Sequence, residues 1–309
     1  MDKKPLIGRK YIAVGIIFLF VGSSIVPAIA QDMEKPLPAT RGHWLYVGGG
    51  GPGNYTSIQD AIDAAFDGDT IFVYDDSSPY YETIEITKSL YLIGENKDTT
   101  IINGGENNQQ VIKVYASGIT ISGFTFLNSV IGIFGSINSS VISKNIFSND
   151  QGGVVLLTSS DNNISENTIG LNVYYNEVGI VFTYNCHNNI ISHNNVQRCF
   201  VGIGLQGGCK RNVISENTLS NNYYGVDLWF VFFNVIQKNN FMNNNKNANF
   251  VTSFFNRWTR NYWDDWSGIG PKRIVGLLTY PWDPWNDTKG IPFVNFDWHP
   301  AKEPYTTYH

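Results

Sequence analysis

The sequence predicts an all-β protein, a single-stranded right-handed parallel β-helix, and three observations lead there. Five segments lie over one another: VISKNIF (141–147), NISENTI (163–169), IISHNNV (190–196), VISENTL (213–219) and VIQKNNF (235–241). Their shared asparagines, Asn145, Asn167, Asn194, Asn217 and Asn239, are 22, 27, 23 and 22 residues apart. Between them recurs a second unit, a glycine followed by alternating apolar residues, at Gly132, Gly153, Gly179, Gly202 and Gly225. A repeat of ~22 residues is too short for two packed helices, and its β-branched residues and Asn/Gly punctuation favour strands. Each strand then pairs in parallel with its equivalent one coil later, and parallel crossovers are right-handed.

In chain order, Lys3, Lys4, Arg9 and Lys10 precede an apolar run over 11–20 and a small-residue ending, Ala28-Ile-Ala30. This reads as a signal peptide over 1–30, cleaved after Ala30, with 31–43 as a linker. The whole run from Tyr11 to Ala30 is also about as long as the ~20 residues a bilayer needs, so an uncleaved anchor is the other reading. Both readings place the folded part outside the cytoplasm. Residues 44–110 form the N-terminal cap and first coils. There, 56–66 carries capping-box spacing and an apolar stripe, Ile58, Ile62, Ala65 and Phe66, that predicts a short amphipathic helix covering the open end of the coil. Strands follow over 70–74, 83–86 and 90–93.

The regular coils occupy 111–253. Ile142, Ile164, Ile191, Ile214 and Ile236 should form one inward column, and Phe147, Ile169, Val196, Leu219 and Phe241 another. The asparagine column should stand at a bend as a structural amide ladder. The residues before it, Lys144, Glu166, His193, Glu216 and Lys238, alternate in charge along an exposed edge. Residues 254–309 abandon the repeat and hold six of the eight tryptophans, which predicts an irregular Trp-rich cap. Those indoles either cover the core or offer a stacking surface for sugars.

With these segments in view, the chain resembles the NosD-type parallel β-helix proteins of the pectin-lyase-like superfamily, as found in exported proteins of archaea. The resemblance covers about 44–305 and rests on the repeats, on 56–74, and on the Asn261-Tyr-Trp-Asp-Asp-Trp and Asn295-Phe-Asp-Trp-His segments. It implies the fold. That superfamily includes lyases, hydrolases, epimerases, adhesive proteins and a copper-maturation protein, so the resemblance leaves the activity open.

The chemistry in the sequence is sparse. A glycosidase needs two carboxyls roughly 5–10 Å apart; Glu166 and Glu216 stand two coils apart, about 9.6 Å by strand spacing, but within a charge ladder. The Asn-Thr-Asp, Gly-His-Gly and Arg-x-Lys motifs of polygalacturonase-like enzymes are absent. Asp227 breaks an outward column of Phe134, Val155, Val181 and Gly204. None of this makes a convincing catalytic centre. Soft donors suited to copper or zinc occur at Cys186, His187, His193, Cys199 and Cys209. Cys186 and Cys209 fall at equivalent positions in adjacent coils, as a packed pair of thiols or a local disulfide. No cofactor is implied.

Tyr174, Tyr175, Tyr184, Tyr223, Tyr224 and Trp229 at bends, with Trp263 and Trp266 in the tail, suit stacking against sugar rings. Asn54, Asn138, Asn163 and Asn286 match the glycosylation acceptor pattern. The net charge of −5 without any basic run after the first ten residues points away from nucleic acid. The expected partner is a glycan or another cell-surface component, bound without turnover, with membrane contact only through an uncleaved N-terminus; a polysaccharide-acting lyase or hydrolase and a NosD-like periplasmic copper-associated protein are the alternatives.

Overall fold

A computed structural model describes residues 42–105, 110–148, 152–170, 177–279 and 290–306. Each full coil carries three strands, as in Val213–Ser215, Thr218–Ser220 and Tyr224–Trp229. Stacking them in register builds three parallel faces, here termed A, B and C in that order around the coil. Face B is an eight-stranded sheet of strands only two or three residues wide. About ten coils follow one another, at the spacing the repeat predicts.

Parallel register turns sequence equivalence into columns. Ile142, Ile164, Ile191, Ile214 and Ile236 pair one to the next and are buried. The column of Phe147, Ile169, Val196, Leu219 and Phe241 does the same on face B. Each buried Ile or Phe contributes roughly 1.5–3 kcal/mol of transfer free energy. Both columns end in tryptophan at the last coil: Trp258 continues the isoleucines, and Trp263 stacks on Phe241 at 4.2 Å. The recurring glycine opens face C, where coils approach closely. A Cβ on Gly179 would stand 2.4 Å from the Gly202 carbonyl oxygen.

At the A–B corner the residue before each asparagine takes a left-handed backbone, from Lys144 (φ 57°) to Arg260 (φ 58°), and this bend swings the following asparagine inward. Its amide then joins a ladder. Each Oδ1 accepts both the backbone N–H and the Nδ2 of the asparagine one coil earlier, from Asn145 through Asn167, Asn194, Asn217 and Asn239 to Asn261. A second ladder, Asn162, Asn189, Asn212, Asn234 and Asn256, occupies the C–A corner. A shorter one, Asn222 to Asn244, stands at the B–C corner. Every corner of the coil is thus held by side-chain amides whose donors and acceptors are used within the ladder or on bent backbone carbonyls.

The front is closed by helix α1, Ile58–Ala64, which buries Ile58, Ala61 and Ile62 against the first coils. Its N-cap is Ser57, and the remote Glu82 carboxylate accepts from Ser57 Oγ and from the Ile58 and Gln59 N–H groups. Lys88 Nζ donates to three carbonyls at the other end. Phe66, expected on the helix's apolar stripe, is instead exposed: the helix ends before it, and Asp69 holds its N–H in an outward turn. At the back, Lys272–Leu278 and Ile291–Asp297 form an antiparallel hairpin that joins face C to face A across the last coil.

Candidate functional site

Face B carries a groove large enough to hold a small ligand. In its middle coils the outward residues are polar or small: Thr168, Gly170, Asn195, Gln197, Thr218 and Ser220. Along its A-side edge runs the charged column, and the two enclose a groove of ≈ 400 Å³ lined by Lys97, Lys144, Glu166, Asn167, Thr168, His193 and Asn195. The 96–100 turn bounds the groove at the front, where the Lys97 carbonyl accepts from Thr125 Oγ1. Two coils beyond the groove, the Tyr305 N–H and carbonyl both bind the Asn240 amide of face B. The volume suits a few sugar-sized units.

The charges of the column are largely matched to one another. His193 Nε2 lies 2.8 Å and Lys238 Nζ 3.0 Å from the Glu216 carboxylate, while Lys144 and Glu166 are 3.9 Å apart. The Lys238 ammonium bonded to Glu216 holds its carboxyl below the usual carboxylate range. A general acid needs the opposite shift, so Glu216 is placed as a counter-ion and not as a proton donor. Glu166 and Glu216 share the outer bend with His193 between them, as the register expects. Asp227 is buried on face C, its Oδ1 accepting from Trp229 Nε1 at 2.9 Å and Asn249 Nδ2 at 2.7 Å. Those bonds make it a sheet-bracing residue, and they occupy the Trp229 indole N–H as well.

The aromatic candidates divide. Tyr184 is well exposed at the C–A corner, and Tyr223 is exposed at the B–C corner, stacked on Phe200 at 5.0 Å with Tyr224 edge-on to both. Trp263 is buried, with its Nε1 bonded to Asp297, and Trp266 packs on the core, so both belong to the end cap. Tyr174, Tyr175 and Asn286 lie outside the described residues, as do the N-terminal segment and its cleavage position. Asn138 and Asn163 are exposed, Asn138 accepting from Ser160, while Asn54 is half-buried and donates to the Gly48 carbonyl. An aromatic set missing from the expectations, Trp44, Tyr46, Phe72 and Tyr74, clusters on the outer side of face A in the first coils. Its signal was available, since W-x-Y and F-x-Y put both rings of each strand on one side.

The soft donors do not converge. Cys186 and Cys209 are buried, free thiols in neighbouring coils, each donating to backbone carbonyls. The adjoining Cys186 side chain and burial push the Cys209 thiol far above the ordinary cysteine range, while its bond to Cys209 draws Cys186 down. His187 stands on the outer C–A bend and His193 on the A–B corner. Among the described residues no three His, Cys, Asp or Glu side chains are grouped to hold an ion. A thiol reagent such as Ellman's is expected to label none of the three cysteines in the native protein and all three after denaturation; rapid native labelling would show the pair to be accessible.

The family described as "Periplasmic copper-binding protein (NosD)" matches residues 62–268, more than half of the chain. The chain belongs to the NosD family. NosD is a periplasmic family by that description, yet the donors just described do not fit a copper centre. The NosD fold here overlaps a polygalacturonase from Erwinia carotovora ssp. carotovora with a TM-score of 0.53 and 12% identity, over 75% of this chain and 80% of that one. The A-module of a mannuronan C-5 epimerase from Azotobacter vinelandii is similar at a TM-score of 0.46 and 16% identity, over 66% and 73%. No curated protein sequence matches the chain.

Proposed function

We propose that this NosD-family chain is exported by its N-terminal segment, released after Ala30, and binds a glycan on face B without cleaving it. The observation that carries the reading is the bounded groove, with ammonium, hydroxyl, carboxamide and imidazole groups along one wall and floor. Sugars present hydroxyls that such groups satisfy at short range, and the exposed Phe200–Tyr223 stack on the other edge of face B offers a ring face for a pyranose. The groove's own carboxylate, Glu166, faces Lys144, and Glu216 beyond it is paired with His193 and Lys238, which favours binding over hydrolysis. The solved neighbour is named for action on polygalacturonate, which is consistent with a glycan but rests on fold alone.

The test is a glycan-array screen of residues 31–309, with reducing-sugar and unsaturated-uronide assays on the same polysaccharides. Binding without product is expected, falling at least tenfold in Lys97→Ala, Asn195→Ala or Thr168→Val while the circular dichroism spectrum is unchanged. Turnover that disappears in Glu166→Gln or Asp227→Asn would replace this reading with an enzyme. Absence of binding to every glycan would end it.

A further inference from the structure

The C–A corner changes character along the helix axis. Its outermost pair of residues is Asn138 and Ser139 in one coil, then Ser160 and Asp161, His187 and Asn188, Lys210 and Arg211, Phe232 and Phe233, and Phe254 and Phe255. The second of each pair takes a left-handed backbone, φ 58° for both Phe233 and Phe255. That conformation favours Gly, Asn and Asp and is unfavourable for a bulky L-residue. Neither phenyl gains burial in return: Phe233 is 56% and Phe255 75% exposed, stacked in parallel at 5.1 Å and 9°. Two rings stacked side by side and open to water are not explained by folding.

Their surroundings extend the patch and give it a sign. Ile190 is 47% exposed on the adjoining strand edge of face A, and Tyr184 is 62% exposed on the same corner. Lys210 and Arg211 precede the phenyls by one coil, and Arg257 follows two residues after Phe255; all three are exposed, and none has an ion-pair partner among the described residues. The acid of these bends, Asp161, lies two coils before Arg211 and accepts from Asn188 Nδ2. A chain of net charge −5 thus carries a basic, aromatic edge roughly 14 Å long by coil spacing.

We infer that the C–A corner around Phe233 and Phe255 is a docking edge for an anionic lipid surface. Phenyl rings partition below lipid headgroups while flanking Lys and Arg pair with headgroup phosphates. In a three-sided coil the C–A corner is opposite face B, so docking here turns the groove away from the membrane. The contact is separate from the N-terminal segment, where the sequence alone placed any membrane association, and it stands whether or not face B binds a glycan.

The test uses residues 31–309, because the apolar run before them would itself partition into lipid and Arg41–His309 is a compact unit of its own. Co-sedimentation with vesicles of phosphatidylcholine mixed equally with phosphatidylglycerol is expected, at least tenfold stronger than with phosphatidylcholine alone and weakened by salt. F233S/F255S and K210E/R211E should each lose at least tenfold, and Phe255→Trp should give an indole whose emission moves to the blue on adding the anionic vesicles. No binding, or binding indifferent to F233S/F255S, overturns the inference. So does gel filtration in which F233S/F255S converts a dimer to a monomer, because a second copy would then be what covers the patch.

Discussion

Replacing Asp297 with alanine is expected to remove about 3–5 kcal/mol of stability and to loosen the last coils before the rest of the helix. The reason is the direction of the A–B ladder. Every asparagine passes its own N–H and Nδ2 forward to the next Oδ1, so the last one, Asn261, needs a terminal acceptor that requires nothing in return. Asp297 is that acceptor. Its Oδ2 takes Asn261 N–H at 2.9 Å, Asn261 Nδ2 at 3.1 Å and Trp263 Nε1 at 3.1 Å, and its Oδ1 takes the Arg260 and His299 N–H groups, all with no exposure to water. A buried carboxylate is tolerated when donors surround it in this way. Asp297→Asn is the sharper variant: one oxygen becomes an NH2 group facing two or three N–H donors, so a loss of at least about 2 kcal/mol is expected from an isosteric change. Coils of a solenoid are stabilised mainly by their neighbours, so hydrogen exchange should rise first in 240–263 and last in 141–170. An Asp297→Asn protein with unchanged denaturation and exchange would refute the directional ladder.

Much of this was legible because a solenoid writes its contacts into the sequence as recurrence. The two inward columns and the A–B ladder follow from residues that repeat at one position. The C–A ladder obeys the same rule, with Asn162, Asn189, Asn212, Asn234 and Asn256 each five residues ahead of an A–B asparagine, and it needed only a second pass. Trp258 and Trp263 also sit in frame, 22 residues after Ile236 and Phe241, and so declare themselves core rather than ligand platform. Asp297 was not legible. It reaches Asn261 from 36 residues further on, across a hairpin with no repeat to give its register. The charge alternation of Lys144 to Lys238 could be read, whereas the left-handed backbone beneath it could not, since Lys, Glu and His carry no such preference. The groove needed the 96–100 turn, with Lys97, to be brought to the edge of coils that begin some forty residues later.

Asn194 carries the second large effect, and it reverses the rule that holds at Asp297. Its Oδ1 accepts Asn167 N–H and Nδ2, both at 3.0 Å, and its Nδ2 donates to Asn217 Oδ1 at 3.0 Å and to the Ile164 carbonyl at 2.9 Å. All four capacities of the amide are in use, in a fully buried corner. Asn194→Ala therefore orphans two donors on one side and an acceptor on the other, with an expected loss of about 3–5 kcal/mol. Asn194→Asp keeps the shape and the acceptor toward Asn167, but at neutral pH it turns a hydrogen-free oxygen onto Asn217 Oδ1 and the Ile164 carbonyl. It should be at least as destabilising as alanine, although the same carboxylate is the residue of choice one ladder-end away. Protonation supplies one of the missing hydrogens, so the folded state binds a proton more tightly than the unfolded chain, and the defect should lessen as pH falls through the raised folded-state value. Urea denaturation of the three proteins from neutral to mildly acidic pH measures this. An Asn194→Asp protein more stable than Asn194→Ala at neutral pH would mean that the ladder has no direction, and that Asp297 is only one more polar group at the end of the coil.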